Sequence, residues 1–119
     1  MNLQLSLKRQ WFEMTAAGIK TEDYREITQY WWKRLVQCGE CYRNLSDSLD
    51  DILAPVEEWK MIMSKQFTTN IMTLGYPSKN DTSRIIRFEH AGIEIRTGNP
   101  EWGAEEGKLY FVIKHGKRL

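Results

Sequence analysis

The sequence predicts an α+β fold: a small, twisted, mainly antiparallel sheet, closed or partly open as a β-barrel, with about three flanking helices. Three observations lead there. Helical periodicities fall in the first half of the chain, β-branched strand patterns fall in the second, and 119 residues leave room for one core only. Hydrophobic residues make up 41% of the sequence, enough for a globular interior and too many for a disordered chain.

The elements follow in order. Leu3, Leu5 and Leu7 alternate with Asn2, Gln4, Ser6 and Lys8, the period of a strand with one buried face. Phe12, Ala16 and Ile19 then form one stripe of a short helix, and Gly18 stands where a left-handed C-terminal cap is expected. Lys20 to Ile27 reads as a returning strand. Thr28 can cap a second helix, with Trp31 and Leu35 on one face, Trp32 and Val36 beside them, and Lys33 and Arg34 late, where the helix dipole favours cations. Residues 38–55 read as a loop insert. Pro55, Glu57 and Glu58 suit the first turn of a third helix with a Val56, Trp59, Met63 stripe.

The second half reads as strands. Thr68 to Leu74 is rich in β-branched residues, Gly75-Tyr76-Pro77 turns the chain, and Ser78 to Asp81 is a loop tip. Arg84 to Glu89 and Ile93 to Thr97 read as a hairpin joined by a tight His90-Ala91-Gly92 connection. After a Gly-Asn-Pro-Glu-Trp-Gly loop, Leu109, Phe111 and Ile113 alternate in a last strand.

Composition narrows the function classes. No apolar run reaches the roughly 18 residues of a membrane span, and the N-terminus alternates rather than forming a signal-peptide block. The expected location is the cytoplasm, and no membrane partner is expected. Net charge is +1, so attraction to nucleic acid would have to come from a local patch. Cys38 and Cys41 lie at metal-knuckle or redox spacing, but His90 and His115 have no partner at ligand spacing, and a βαβ context is missing. Two reduced thiols are expected, with no metal and no cofactor.

At Gly18-Ile19-Lys20-Thr21-Glu22-Asp23-Tyr24-Arg25 the chain resembles the ASCH domain family, whose motif is Gly-x-Lys-x-x-Glu-x-Arg. Gly18, Lys20 and Arg25 match, and Asp23 stands in place of the Glu. Leu5-Ser6-Leu7-Lys8 before Trp11-Phe12, Tyr24 to Ile27 with Tyr30-Trp31-Trp32, Gly98 to Gly103 and Tyr110 to Ile113 resemble a phage-associated subgroup. The resemblance runs over nearly the whole chain and is weakest over 38–66.

The resemblance implies a PUA-like β-barrel with a cleft that binds RNA or a nucleotide, as a single domain, monomeric or weakly dimeric. The candidate ligand-binding residues are Lys8, Trp11, Lys20, Glu22, Asp23, Tyr24, Arg25, Tyr76, Glu101 and Trp102. Some relatives are enzymes that remove the acyl group of acetylated cytidine or cut RNA. In the deacylating kind a Thr takes the place of Asp23, which separates this chain from that mechanism.

The motif residues have chemistry of their own. Lys20 can bind a phosphate or, desolvated, act as a base. Asp23 and Arg25 share a face of an extended segment and together present acceptor and donor to a base edge, although an ion pair between them is the plain structural alternative. Trp102, in a Gly-flanked loop, is the first candidate for base stacking and Tyr76 the second. Lys114, His115, Lys117 and Arg118 with Arg84, Arg87 and Arg96 can form a phosphate-binding stripe or simply face water.

Three readings result. The first is a binding module for RNA or a modified nucleotide. The second is a small hydrolase, with Lys20 and Asp23 catalytic and Glu101 an alternative carboxylate. The third is a protein-interaction domain of phage or mobile-element origin.

Overall fold

A computed structural model of the chain describes residues 1–36, 65–78 and 80–119. The expected loop insert with Cys38 and Cys41 and the expected third helix lie outside the described residues. The chain is α+β. Its described elements run β1 (Asn2–Leu7), α1 (Arg9–Ala16), β2 (Glu22–Arg25), α2 (Gln29–Leu35), β3 (Thr69–Leu74), β4 (Ile85–Thr97) and β5 (Leu109–Arg118), with short 3-10 turns at Thr82–Arg84 and Pro100–Trp102. The five strands form one sheet in the order β1-β3-β4-β5-β2. It is mixed, because β1 runs parallel to β3 from Asn2↔Thr69 to Leu7↔Leu74, whereas β3 and β4 are antiparallel from Thr69↔Glu89 to Thr73↔Ile85. Among the described residues no helix is long and apolar enough to cross a membrane.

The described residues divide into two compact units, one from Met1–Asp23, Gln66–Ala91 and Lys114–Leu119, the other from Tyr24–Lys65 and Gly92–Ile113. In the first, the period-two leucines of β1 are all buried, and Met72 of β3 is fully so. Helix α1 buries Phe12 and Thr15, and the Thr15 hydroxyl donates to the Trp11 carbonyl at 2.7 Å, which satisfies the hydroxyl inside the packing. The helix stops earlier than its apolar stripe suggests. Gly18 adopts φ 77°, a left-handed conformation that favours glycine, and the Ile19 and Lys20 amides both donate to the Met14 carbonyl. Ile19 is thereby left 58% exposed, outside the stripe expected for it, while Lys20 is carried into the interior at 3% exposure.

The expected hairpin at His90-Ala91-Gly92 is instead one continuous strand of 13 residues, β4. The physical reason is visible in the burial pattern. Ile86 and Phe88 are buried, then Ile93 and Ile95, so the parity shifts by one residue across the interruption. A one-residue offset is what a bulge introduces, and Gly92, at φ 117°, supplies the backbone freedom for it.

In the second unit Thr28 caps α2 as expected: its hydroxyl accepts from the Trp31 amide at 3.3 Å. Leu35 is fully buried, and the Trp32 ring packs at 6.4 Å from Phe111. Ala104, Tyr110 and Val112 form a small core with Tyr24 against it. The two tyrosine hydroxyls pin the neighbouring loop, accepting from the Asn99 amide at 2.8 Å and the Glu105 amide at 3.0 Å. Gly98 has no room for a side chain: a Cβ there would sit 2.7 Å from Ala104 Cβ and 2.8 Å from Tyr24 Cε1 and Cζ. Gly98→Ala is therefore expected to lower stability by about 1–3 kcal/mol, the usual cost of overpacking, as read from a urea unfolding curve.

Candidate functional site

Two of the three motif side chains meet in the first unit. Past the Gly18 turn, the Lys20 ammonium donates to the Glu22 carbonyl at 2.6 Å and forms an ion pair with Asp23 Oδ1. The Lys20 and Asp23 side chains are only 2% and 4% exposed, so they face each other in the interior and do not stand at a solvent-open mouth. The other carboxylate oxygen, Asp23 Oδ2, lies 2.8 Å from His115 Nε2. His115 comes from β5, whose backbone is tied to the same segment by the His115 amide donating to the Thr21 carbonyl at 3.0 Å.

From His115 the network continues through β3 to β4. Asn70 is fully buried, and its side-chain nitrogen lies 3.1 Å from the Lys114 carbonyl and 2.8 Å from His115 Nδ1. Its side-chain oxygen lies 2.7 Å from His90 Nδ1. The direction of each bond follows from donor and acceptor rules. The Lys114 carbonyl can only accept, so the Asn70 amide must turn its NH2 that way, and the same NH2 donates to His115 Nδ1. His115 therefore carries its hydrogen on Nε2 and donates it to Asp23. Asn70 Oδ1 can only accept, so His90 carries its hydrogen on Nδ1. His90 Nε2 is then a bare lone pair, buried and without a hydrogen-bond partner among the described residues. Phe88, the register partner of Asn70, packs its ring 5.5 Å from His115, and Phe67 lies edge-on to His90 at 5.4 Å.

Protonation states fit these directions. Burial pushes the Asp23 carboxyl upward, but the His115 hydrogen bond and the Lys20 charge outweigh it and hold Asp23 below its ordinary 3.8, so it is ionised at neutral pH. Burial holds His90 below its ordinary 6.5, and the neighbouring His115 works in the same direction. Both shifts make the fold less stable in acid. Below pH 6.5 the unfolded chain protonates His90 while the folded one resists. Below pH 3.8 the same holds for Asp23, whose contribution is lost as pH falls through its lowered folded value. Urea midpoints measured against pH should show both declines, the upper one absent in His90→Asn and the lower one absent in Asp23→Asn.

The remaining sequence candidates lie in several places. In the first unit Lys8 is exposed before α1, Trp11 is half-buried on it, Glu22 is buried and lends its carbonyl to Lys20, and Tyr76 is 95% exposed on the turn after Gly75. Tyr24, Arg25, Glu101 and Trp102 belong to the second unit. There the Arg25 guanidinium lies 5.0 Å over the Trp31 ring, Glu101 is exposed, and Trp102 is half-buried in a 3-10 turn whose Asn99 side chain accepts from the Glu101 amide. The expected ion-pair alternative for Asp23 is replaced by bonds to Lys20 and His115.

Three residues of the expected basic stripe have partners of their own. The His115 side chain is 2% exposed and belongs to the network, Arg84 pairs with Asp81 at 3.3 Å, and Arg96 pairs with Glu94 at 3.0 Å. Asn70, His90 and His115 were not singled out as a site in the sequence, because the contacts that join them span 20 to 92 positions. One signal was present: an Asn in the middle of a β-branched run is out of place unless its amide has partners. Among the described residues no three His, Cys, Asp or Glu side chains are grouped to hold a metal ion. Comparisons with family models, curated proteins and solved structures give no match.

Proposed function

We propose that the chain is an RNA- or nucleotide-binding domain of the ASCH type, with a PUA-like barrel, and that the Lys20–Asp23–His115–Asn70–His90 network is its recognition centre. One observation carries the reading: five polar side chains from four chain segments are interlinked inside one unit. Stability alone does not call for them, since a buried ion pair gains little or nothing over apolar packing of similar volume. Clusters of titratable groups with shifted pKa values are characteristic of functional sites. The chemistry suits a base edge. Ionised Asp23 accepts from amines, Lys20 donates, and Phe67 and Phe88 supply flat apolar surface beside the imidazoles. A ligand amine can take the place of one donor on Asp23, so that the carboxylate stays hydrogen-bonded throughout.

A second reading, a small hydrolase acting on acylated cytidine or RNA, is favoured by the carboxylate–imidazole pair of Asp23 and His115 next to the Lys20 amine, which together can move a proton. The test is incubation of wild type and Lys20→Ala with nucleosides, acetylated cytidine and short RNAs, read by mass spectrometry and by salt-dependent binding. Intact, bound RNA or nucleotide supports the binding module. A product formed by wild type and missing in the variant supports the hydrolase. Neither binding nor turnover leaves the protein-interaction domain.

A further inference from the structure

We propose that His90 Nε2 is the hydrogen-bond acceptor that faces the bound molecule, taking an N–H or O–H donor from a planar nitrogen heterocycle. This rests on the nucleotide-binding reading and adds to it an atom outside the Lys20, Asp23 and Arg25 motif. From His90 to Asp23 the bonds run one way: His90 Nδ1 donates to Asn70 Oδ1, Asn70 Nδ2 to His115 Nδ1, and His115 Nε2 to Asp23. That run begins at His90, whose Nε2 lone pair has no donor among the described residues. A buried acceptor without a donor is costly to keep, and few exist in folded proteins without a reason.

The position also suits a ligand. His90 is half-buried as a residue, and its neighbours Glu89 and Ala91 are exposed, as is Thr68, whose carbonyl accepts from the His90 amide at 3.0 Å. Phe67, edge-on at 5.4 Å, gives the site an apolar aromatic wall next to the acceptor. An acceptor beside an aromatic ring fits a flat heterocycle bearing an amine or imino hydrogen better than it fits a phosphate, which brings acceptors of its own. Asn70 is the positioning residue: by fixing both imidazole tautomers it keeps the lone pair of His90 on Nε2.

The experiment uses the full chain, with cytidine monophosphate, adenosine monophosphate and a short mixed-sequence RNA as probes. Nitrogen-15 NMR of the free protein should find the His90 hydrogen on Nδ1, and adding a probe that binds should shift the His90 Nε2 signal. Two variants separate the nitrogens. His90→Asn keeps a donor at the Nδ1 position and removes Nε2, and should weaken binding about tenfold, the loss of one well-made hydrogen bond. His90→Gln places an amide oxygen at the Nε2 position and should bind close to wild type. The inference is overturned if the free protein carries the hydrogen on Nε2, or if a probe binds wild type and His90→Asn alike with no Nε2 shift; in either case the nucleotide-binding reading survives. If no probe binds wild type, both fall together.

Discussion

Lys20→Met is expected to lower folding stability by about 3–5 kcal/mol, because it leaves the Asp23 carboxylate in the interior without its cation. The Lys20 and Asp23 side chains are 2% and 4% exposed, so water cannot take over the lost contact. The His115 Nε2–H remains on the carboxylate, which places the effect toward the lower end of that range. The pH profile should change with it. Without the ammonium one of the influences that hold the Asp23 pKa down is gone, so the folded value rises toward the unfolded one and the Asp23 share of the acid-induced loss becomes smaller than in wild type. Adding Asp23→Asn should recover most of the loss, because an amide oxygen still accepts from His115 and no charge remains buried. Urea unfolding of the single and double variants measures this coupling directly.

Asn70→Leu is expected to cost about 3 kcal/mol or more, although the two side chains are similar in size. The fully buried amide serves three partners: it donates to the Lys114 carbonyl and His115 Nδ1 and accepts from His90 Nδ1. Leucine satisfies none of them, and each buried polar group left bare carries a penalty of about 1–3 kcal/mol unless water reaches it. The substitution also releases both imidazoles from their tautomers. Nitrogen-15 spectra of the variant should therefore show mixed His90 and His115 tautomers, a readout that simple loss of packing would not produce.

Local patterns were legible and long-range ones were not. The Leu3, Leu5, Leu7 alternation, the Thr28 cap and the Gly18 reversal are set by neighbouring residues, and each is found where its pattern lies. The hairpin reading of 84–97 failed because a glycine inside a strand pattern signals a turn or a bulge equally well. The parity of Ile86 and Phe88 against Ile93 and Ile95 excludes a three-residue connection but suits a two-residue turn as well as a bulge, so only the pairing of the whole strand separates the two. The site was half legible. Lys20 and Asp23 are close in sequence, within the segment whose resemblance rests on Gly18, Lys20 and Arg25, whereas Asn70, His90 and His115 join them only when β3, β4 and β5 lie side by side. Lys114, Lys117 and Arg118 surround His115 and make it read as part of a basic tail; its ring lies inside, while Lys117 and Arg118 near the end of the strand are exposed.

Binding of short RNA and nucleotides by Lys20→Met/Asp23→Asn, followed by tryptophan fluorescence, separates recognition from stability most directly. A double variant that is nearly as stable as wild type but no longer binds is the expected result. A double variant that is equally stable and binds RNA or nucleotide as wild type does would reduce the network to a structural polar core and contradict its role as the recognition centre.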